Sequence, residues 1–225
     1  MYQLLAIAIQ ILFWTLPWPI RRLFLCWTFG YQLARTSRIG YSIILARQVV
    51  IGPGSRIGHL TMIRNLSSVA LGECAIIGNF NKIAGVPLRN SGPFSEEPNR
   101  YPELVVGAHA ALTNSHIIDC TNRVVIGEFA TVAGWRCQIL THSIDLSLSR
   151  QRSAPVVIGA FSFVGTGCIL LRGSVLPERS ALTAGSVLAS AESEPLWVYS
   201  GVPALKSKPI KPGARYFSRE RGQVE

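Results

Sequence analysis

From Ile39 onward, an aliphatic residue returns at every sixth position along most of the chain. The clearest stretch is unbroken over five units: IGAFSF from Ile158, VGTGCI from Val164, LLRGSV from Leu170, LPERSA from Leu176 and LTAGSV from Leu182. Earlier units begin at Ile39, Leu45, Ile51, Ile57 and Ile63, at Leu71 and Ile77, at Val106, Leu112 and Ile118, and at Ile126 and Val132. Such self-similarity marks a repeat architecture. Three hexads make one triangular coil, with the aliphatic residue pointing inward and a small residue letting the backbone turn the corner. Each coil buries its face only against the next, so stability is nearly one-dimensional. The period slips twice, over Gly85 to Leu104 and over Leu140 to Val156. There the chain must leave the coil as loops, where function tends to sit.

The first forty residues follow another pattern. Residues 1–20 carry no charge, Arg21 and Arg22 follow, and a second apolar run, Leu23 to Ala34, ends at Arg35 and Arg38. Trp14, Trp18, Trp27 and Tyr31 beside arginines suit a membrane–water interface. A secretory signal is disfavoured, because the positive n-region and the cleavage site are missing. A spanning helix is nearly long enough, but Pro17 and Pro19 end it early. A helix–break–helix lying in one leaflet, with Arg21 and Arg22 at the lipid phosphates, and a helix simply packed on the main domain are the remaining readings. In the membrane readings the arginines keep the domain on the cytoplasmic side. The division predicted is an apolar helical anchor (1–38), a repeat domain (39–208) and a basic tail (209–225).

Composition narrows the class. Of 225 residues, 48% are hydrophobic and 15% charged, which excludes disorder. Five Cys without a CxxC read as reduced, small apolar fillers. The net charge is +10, yet no nucleic-acid module is present, leaving anionic lipid or a polyphosphate cofactor as partners.

The hexads from about Ile39 to Lys208 resemble those of the hexapeptide-repeat acyltransferases, which include serine, galactoside and maltose acetyltransferases and the O-acetyltransferases of bacterial polysaccharides. The resemblance implies a mainly β fold, a left-handed parallel β-helix, here with the N-terminal anchor and an extended C-terminal tail. Fold alone does not fix chemistry. His142 stands directly before the second loop, in a Thr141-His142-x-x-Asp145 pattern similar to that of the family's catalytic histidine. Asp145 or a backbone carbonyl would hold its second nitrogen. His116 and Asp119 echo the segment as H-x-I-D and are read as a pair supporting the site, as approaching a neighbouring subunit's His142, or, for His116, as structural. His59 and His109 occupy variable hexad positions and read as coil-turn residues.

The resemblance also implies acetyl-CoA as co-substrate, lying near the C-terminal coils along FVGTG, TAGSV and GVPALKSK. That makes Gly165, Thr166, Ala184, Gly185, Ser186, Pro203, Lys206 and Lys208 the cofactor-binding candidates. The family places Lys or Arg directly after its Gly-x-Pro-Ala, and here Leu205 stands there. Trp135 is a candidate platform for a sugar or the pantetheine arm. The reaction implied is direct acetyl transfer to a sugar hydroxyl, with an imidazole base and no GxSxG nucleophile. The acceptor expected is a surface glycan or its lipid-linked precursor at the inner face of the bacterial inner membrane, reached by a homotrimer that takes no metal. A soluble acceptor of the serine or antibiotic type and a non-catalytic scaffold are the alternatives. A zinc hydratase resembling gamma-type carbonic anhydrases is disfavoured by the histidine spacing.

Overall fold

The computed structural model describes residues 2–89, 92–97, 99–211 and 213–222. The hexads wind into a parallel β-helix with three flat faces. On the second face the inward column runs Ile39, Ile57, Ile77, Leu112, Val132, Val164 and Leu182, each in register with the next. All seven are buried. Matching columns run from Leu33 to Leu176 on the first face and from Ile44 to Leu188 on the third. One hexad is shifted: the inward residue of the first coil is Ile44, paired with Ile63, and Leu45 is only half-buried. A bulge between Leu45 and Ala46 absorbs the extra residue as Ile43–Ile51 turns from the third face to the first.

Buried polar side chains thread the corner between the second and third faces. Ser42 Oγ accepts the N–H of Thr61, Thr61 Oγ1 that of Asn81, Asn81 Oδ1 that of His116, and His116 Nδ1 that of Cys137. Each coil thus hands one hydrogen bond to the next through a side chain that has left water, and an unmade one would carry the full desolvation cost. At the far end, Trp197–Gly201 pairs in parallel with Ala181–Leu182 and in antiparallel with Ala204–Pro209. Buried Tyr199 caps the second-face column there. The tail folds back on the second face, where Tyr216 meets Phe163 edge-on and Arg219 lies over Tyr216. Pro212 and residues 223–225 of the tail lie outside the described residues.

The N-terminal segment departs most from expectation. It forms α1 (Tyr2–Phe13) and α2 (Trp18–Phe29), with the break at the Pro17 turn. A 12-residue helix is about 18 Å long, short of the ~30 Å of hydrocarbon, and no described helix is long and apolar enough to cross a membrane. The pair is not a detached anchor. It covers the open end of the first coil, whose strand edges have no coil before them. Gln10 donates to the Ile44 carbonyl at 2.8 Å and accepts the Ile44 N–H at 3.0 Å. Trp18 Nε1 donates to the Ser37 carbonyl, Arg22 to that of Leu33 and Arg21 to that of Ile39. Arg21, only 6% exposed, sits between the rings of Trp18 and Tyr41. Both arginines are therefore turned to the protein and not to lipid phosphates.

Gln10→Ala leaves the Ile44 N–H unpaired and the Ile44 carbonyl with the Tyr31 hydroxyl alone. It should lower stability by about 1–3 kcal/mol and the thermal midpoint by several degrees, whereas Leu12→Ala on the exposed side of α1 should change little. Equal midpoints for Gln10→Ala and the unaltered chain, in calorimetry, would remove the capping role.

Candidate active site

Both period slips become loops beside the same corner, where the third face ends. Residues 85–102 leave after Lys82–Ala84, and a hairpin of His142–Asp145 with Arg150–Ser153 leaves after Gln138–Leu140. The two loops hold each other: Glu97 accepts the Ser153 N–H and hydroxyl, and Arg150 pairs with Glu96.

His142 opens the hairpin. Its Nδ1 lies 2.7 Å from Asp119 Oδ2. Asp119 ends the third-face strand of the preceding coil, in register with Leu140, so its carboxylate points up at Thr141 and His142. The same oxygen accepts the backbone N–H groups of Thr141 at 2.8 Å and His142 at 3.1 Å, and the Thr141 hydroxyl at 2.9 Å. The other oxygen accepts the Thr121 N–H and hydroxyl. Burial alone would raise the Asp119 pKa. The donors on Thr121, His142 and Thr141 outweigh it and hold the group below its ordinary value, as a carboxylate. An ionised acceptor at Nδ1 assigns the proton there and leaves Nε2 as a lone pair. Among the described residues Nε2 has no hydrogen-bond partner, and the side chain is 37% exposed.

The first loop supplies the wall. Buried Phe94 meets the His142 ring edge-on, at 6.0 Å and 88°. Behind it lies Arg100, 4.6 Å from the Phe94 centroid. Its guanidinium is spent on the carbonyls of Val86, Thr121 and Pro87.

The other expected site residues fall elsewhere. Asp145 lies on the hairpin, its carboxylate accepting the N–H groups of Ser147 and Leu148, and the orienting place at His142 is taken by Asp119. His116 is fully buried as a rung of the corner ladder. Because its Nδ1 accepts from Cys137, Nε2 carries the proton and donates to Thr113 Oγ1 at 3.0 Å. Thus the H-x-I-D echo is not structural: its two histidines stand on different corners, and the Asp of the first serves the His of the second.

The cofactor candidates gather at the corner where the third face begins. Trp135, 63% exposed, exchanges hydrogen bonds with Thr166 Oγ1, and Gly185 N–H donates to the Thr166 carbonyl. Gly165 is required by stacking, since a Cβ there would lie 2.6 Å from the Ala184 nitrogen. Gly185 (φ +72°) and Ala184 are exposed on the turn, with open space around Gly185, and Ser186 is buried beneath them. Lys206 is tied to Glu194 and lies over Trp197, while Pro203 and Lys208 are exposed on the terminal hairpin. The structure therefore makes two clusters at opposite edges of one face, and a single chain does not close them into one site.

Phe94 and Arg100 were not found from the sequence, and Asp119, expected to approach His142 only from a neighbouring subunit, meets it within one chain. The break in the hexad period marks residues 85–104 as a loop, but no spacing says which corner a residue occupies.

The fold has known parallels. A hexapeptide-repeat acetyltransferase from Vibrio cholerae O1 biovar eltor, complexed with acetyl coenzyme A, superposes with a TM-score of 0.51 at 18% identity, over 63% of this chain and 71% of that one. A variant of AntD, an N-acyltransferase from Bacillus cereus in complex with dTDP and coenzyme A, gives 0.51 at 15% identity, over 78% and 83%. No family model and no curated protein matches the sequence. At these identities the likeness shows the fold: the chain has the β-helix of the hexapeptide-repeat transferases.

Burial lowers the His116 pKa to about 4. In the unfolded chain the same imidazole takes its proton near 6.5, so stability falls as pH drops through this window, by about 3 kcal/mol in all. In an NMR titration of the folded protein, the His116 ring should keep its neutral shifts down to about pH 5. A midpoint near 6.5 for that ring would contradict its buried neutral role.

Proposed function

We propose that this chain is an acyltransferase, moving an acetyl group from acetyl-CoA to a sugar hydroxyl with His142 as general base. The observation that carries the reading is the His142–Asp119 pair, with Nε2 unpartnered at a loop-walled corner of a hexapeptide-repeat coil. A hydroxyl is a weak nucleophile at neutral pH. An imidazole held in the right tautomer takes its proton as it attacks, and Asp119 stabilises the imidazolium that forms.

Acetyl-CoA would supply the acetyl group as a thioester. The acceptor oxygen forms the new ester bond, the C–S bond breaks, and His142 returns the proton to the departing sulfur. Cys120, Cys137 and Cys168 offer no covalent route, since burial raises their thiol pKa values and keeps them protonated. Transfer is then direct, in a ternary complex.

The exposed turn of Trp135, Thr166, Ala184 and Gly185 suits a long thin ligand laid across the coils. Lys208 forms no ion pair among the described residues and is the better phosphate partner, because Lys206 is occupied. The gap between the two clusters supports a homotrimer, in which one chain's His142 faces the next chain's turn. We take the acceptor to be a glycan or its lipid-linked precursor. Sugar-nucleotide amines and small soluble acceptors are the other outcomes of an acceptor screen.

Thiol release from acetyl-CoA, with a panel of glycosyl acceptors, tests the assignment. His142→Ala should lose about 10²–10⁴-fold in kcat. Asp119→Asn should lose at least tenfold, and Asp145→Asn should stay close to the parent. Full activity in folded His142→Ala would end this reading.

A further inference from the structure

The helix cap has an outer side. Away from the coil, α1 and α2 show Leu4, Leu5, Leu12, Leu23, Phe24 and Trp27, with Leu4 73% and Trp27 84% exposed. The two outer sides adjoin, because Phe13 of α1 packs on Phe24 of α2 at 5.2 Å. The only charges on either helix are Arg21 and Arg22, and both reach inward to coil carbonyls. A surface helix ordinarily turns its apolar side in and its polar side out. Here Gln10, Arg21 and Arg22 point in, and an uncharged apolar sheet of side chains points out. A contiguous apolar surface of this kind marks an interaction site.

Charge surrounds it on one side of neutrality only. No Asp or Glu precedes Glu73, whereas seven arginines do. Five of them, Arg35, Arg38, Arg47, Arg56 and Arg64, are exposed, and none forms an ion pair with a described residue. Arg38 and Arg56 even stand side by side in register on the second face. They line a groove of about 830 Å³ that opens beside the Pro17 turn. Like charges at neighbouring positions repel, so this collar is built for an anionic surface that meets it from outside.

We infer that the helix pair is a docking plate, on which the protein stands end-on against an anionic lipid bilayer. The pair bonds to carbonyls on all three faces of the first coil, so the plate lies across the coil and the β-helix axis stands along the membrane normal. Helices of this length lie in the interface and do not cross it. Sunk by about 5–10 Å, they bring the first-coil arginines to the lipid phosphates. A second copy docked end to end would oppose two arginine collars with no carboxylate between them. His142 belongs to the fifth coil, four strand spacings or roughly 20 Å above the first. Resting on the acyl-transfer reading, this height fits the sugar end of a lipid-linked saccharide.

Flotation of the full chain with phosphatidylcholine vesicles, with and without phosphatidylglycerol, tests the docking. The protein should float with the anionic vesicles at low salt, and about tenfold less with neutral vesicles or at 1 M salt. Leu12→Glu combined with Leu23→Glu alters only exposed positions. It should abolish flotation with the circular-dichroism melt unchanged. Brominated lipid should quench a fluorescence component that Trp27→Phe removes, and should leave that of Trp135 intact. Failure of the parent chain to float with anionic vesicles at low salt would overturn the proposal. So would equal flotation of the double variant, or light scattering in which the plate joins two copies and binds no vesicle. His142→Ala should float like the parent, so lost catalysis and lost docking are read separately.

Discussion

In a parallel β-helix, every coil is completed by the coil beside it. The backbone N–H and C=O groups of one turn point along the axis, not around it, and only another turn can take them. All else in this chain follows from that constraint. The interior columns need one aliphatic residue per face per turn, so the sequence repeats. The two ends have no further turn to meet, so something different must cover each of them. At the N-terminus Gln10, Trp18, Arg21 and Arg22 serve as the missing coil. At the other end, the strand Trp197–Gly201 ends the stack with a hairpin.

The same constraint decides what was legible in the sequence. A residue whose role is to stack is periodic, and the hexad starts named between Ile51 and Leu182 all turn inward. The single slip, at Leu45, came where a bulge adds a residue that no local chemistry announces. The N-terminal helices were visible as helices, broken where Pro17 stands. Their destination was not, because apolar residues followed by arginine suit a membrane interface and a coil end equally well. Gln10 is the discriminating residue: it is an amide flanked by apolar residues, and the backbone edge of Ile44 is what it meets.

Of the candidate site, His142 could be singled out from the sequence, but its hydrogen-bond partner within the chain could not. His142 stood out because it precedes a break in the repeat. Asp145 looked like its partner because it is near in sequence, yet on a coil the neighbour that counts is one whole turn away. Asp119 holds that position through Leu140. His116 looked catalytic because histidines are few, but a corner position consumes both of its nitrogens. Phe94 and Arg100 could not be found at all, since an excursion without a period carries no register to read.

A coil of this kind has almost no chemistry to spare. Its corner side chains are committed to the next turn's backbone, and its inward ones to the column. Reactive groups must therefore stand where the stacking is interrupted, and must borrow their rigidity from it. Asp119 does both. Its carboxylate pins the first two residues of the hairpin by their N–H groups and, with the same oxygen, the ring of His142. The bond that ends the coil is thus the bond that sets the tautomer. A hairpin that loosened would release the imidazole with it, so the stability of this corner and the orientation of the His142 ring are one property.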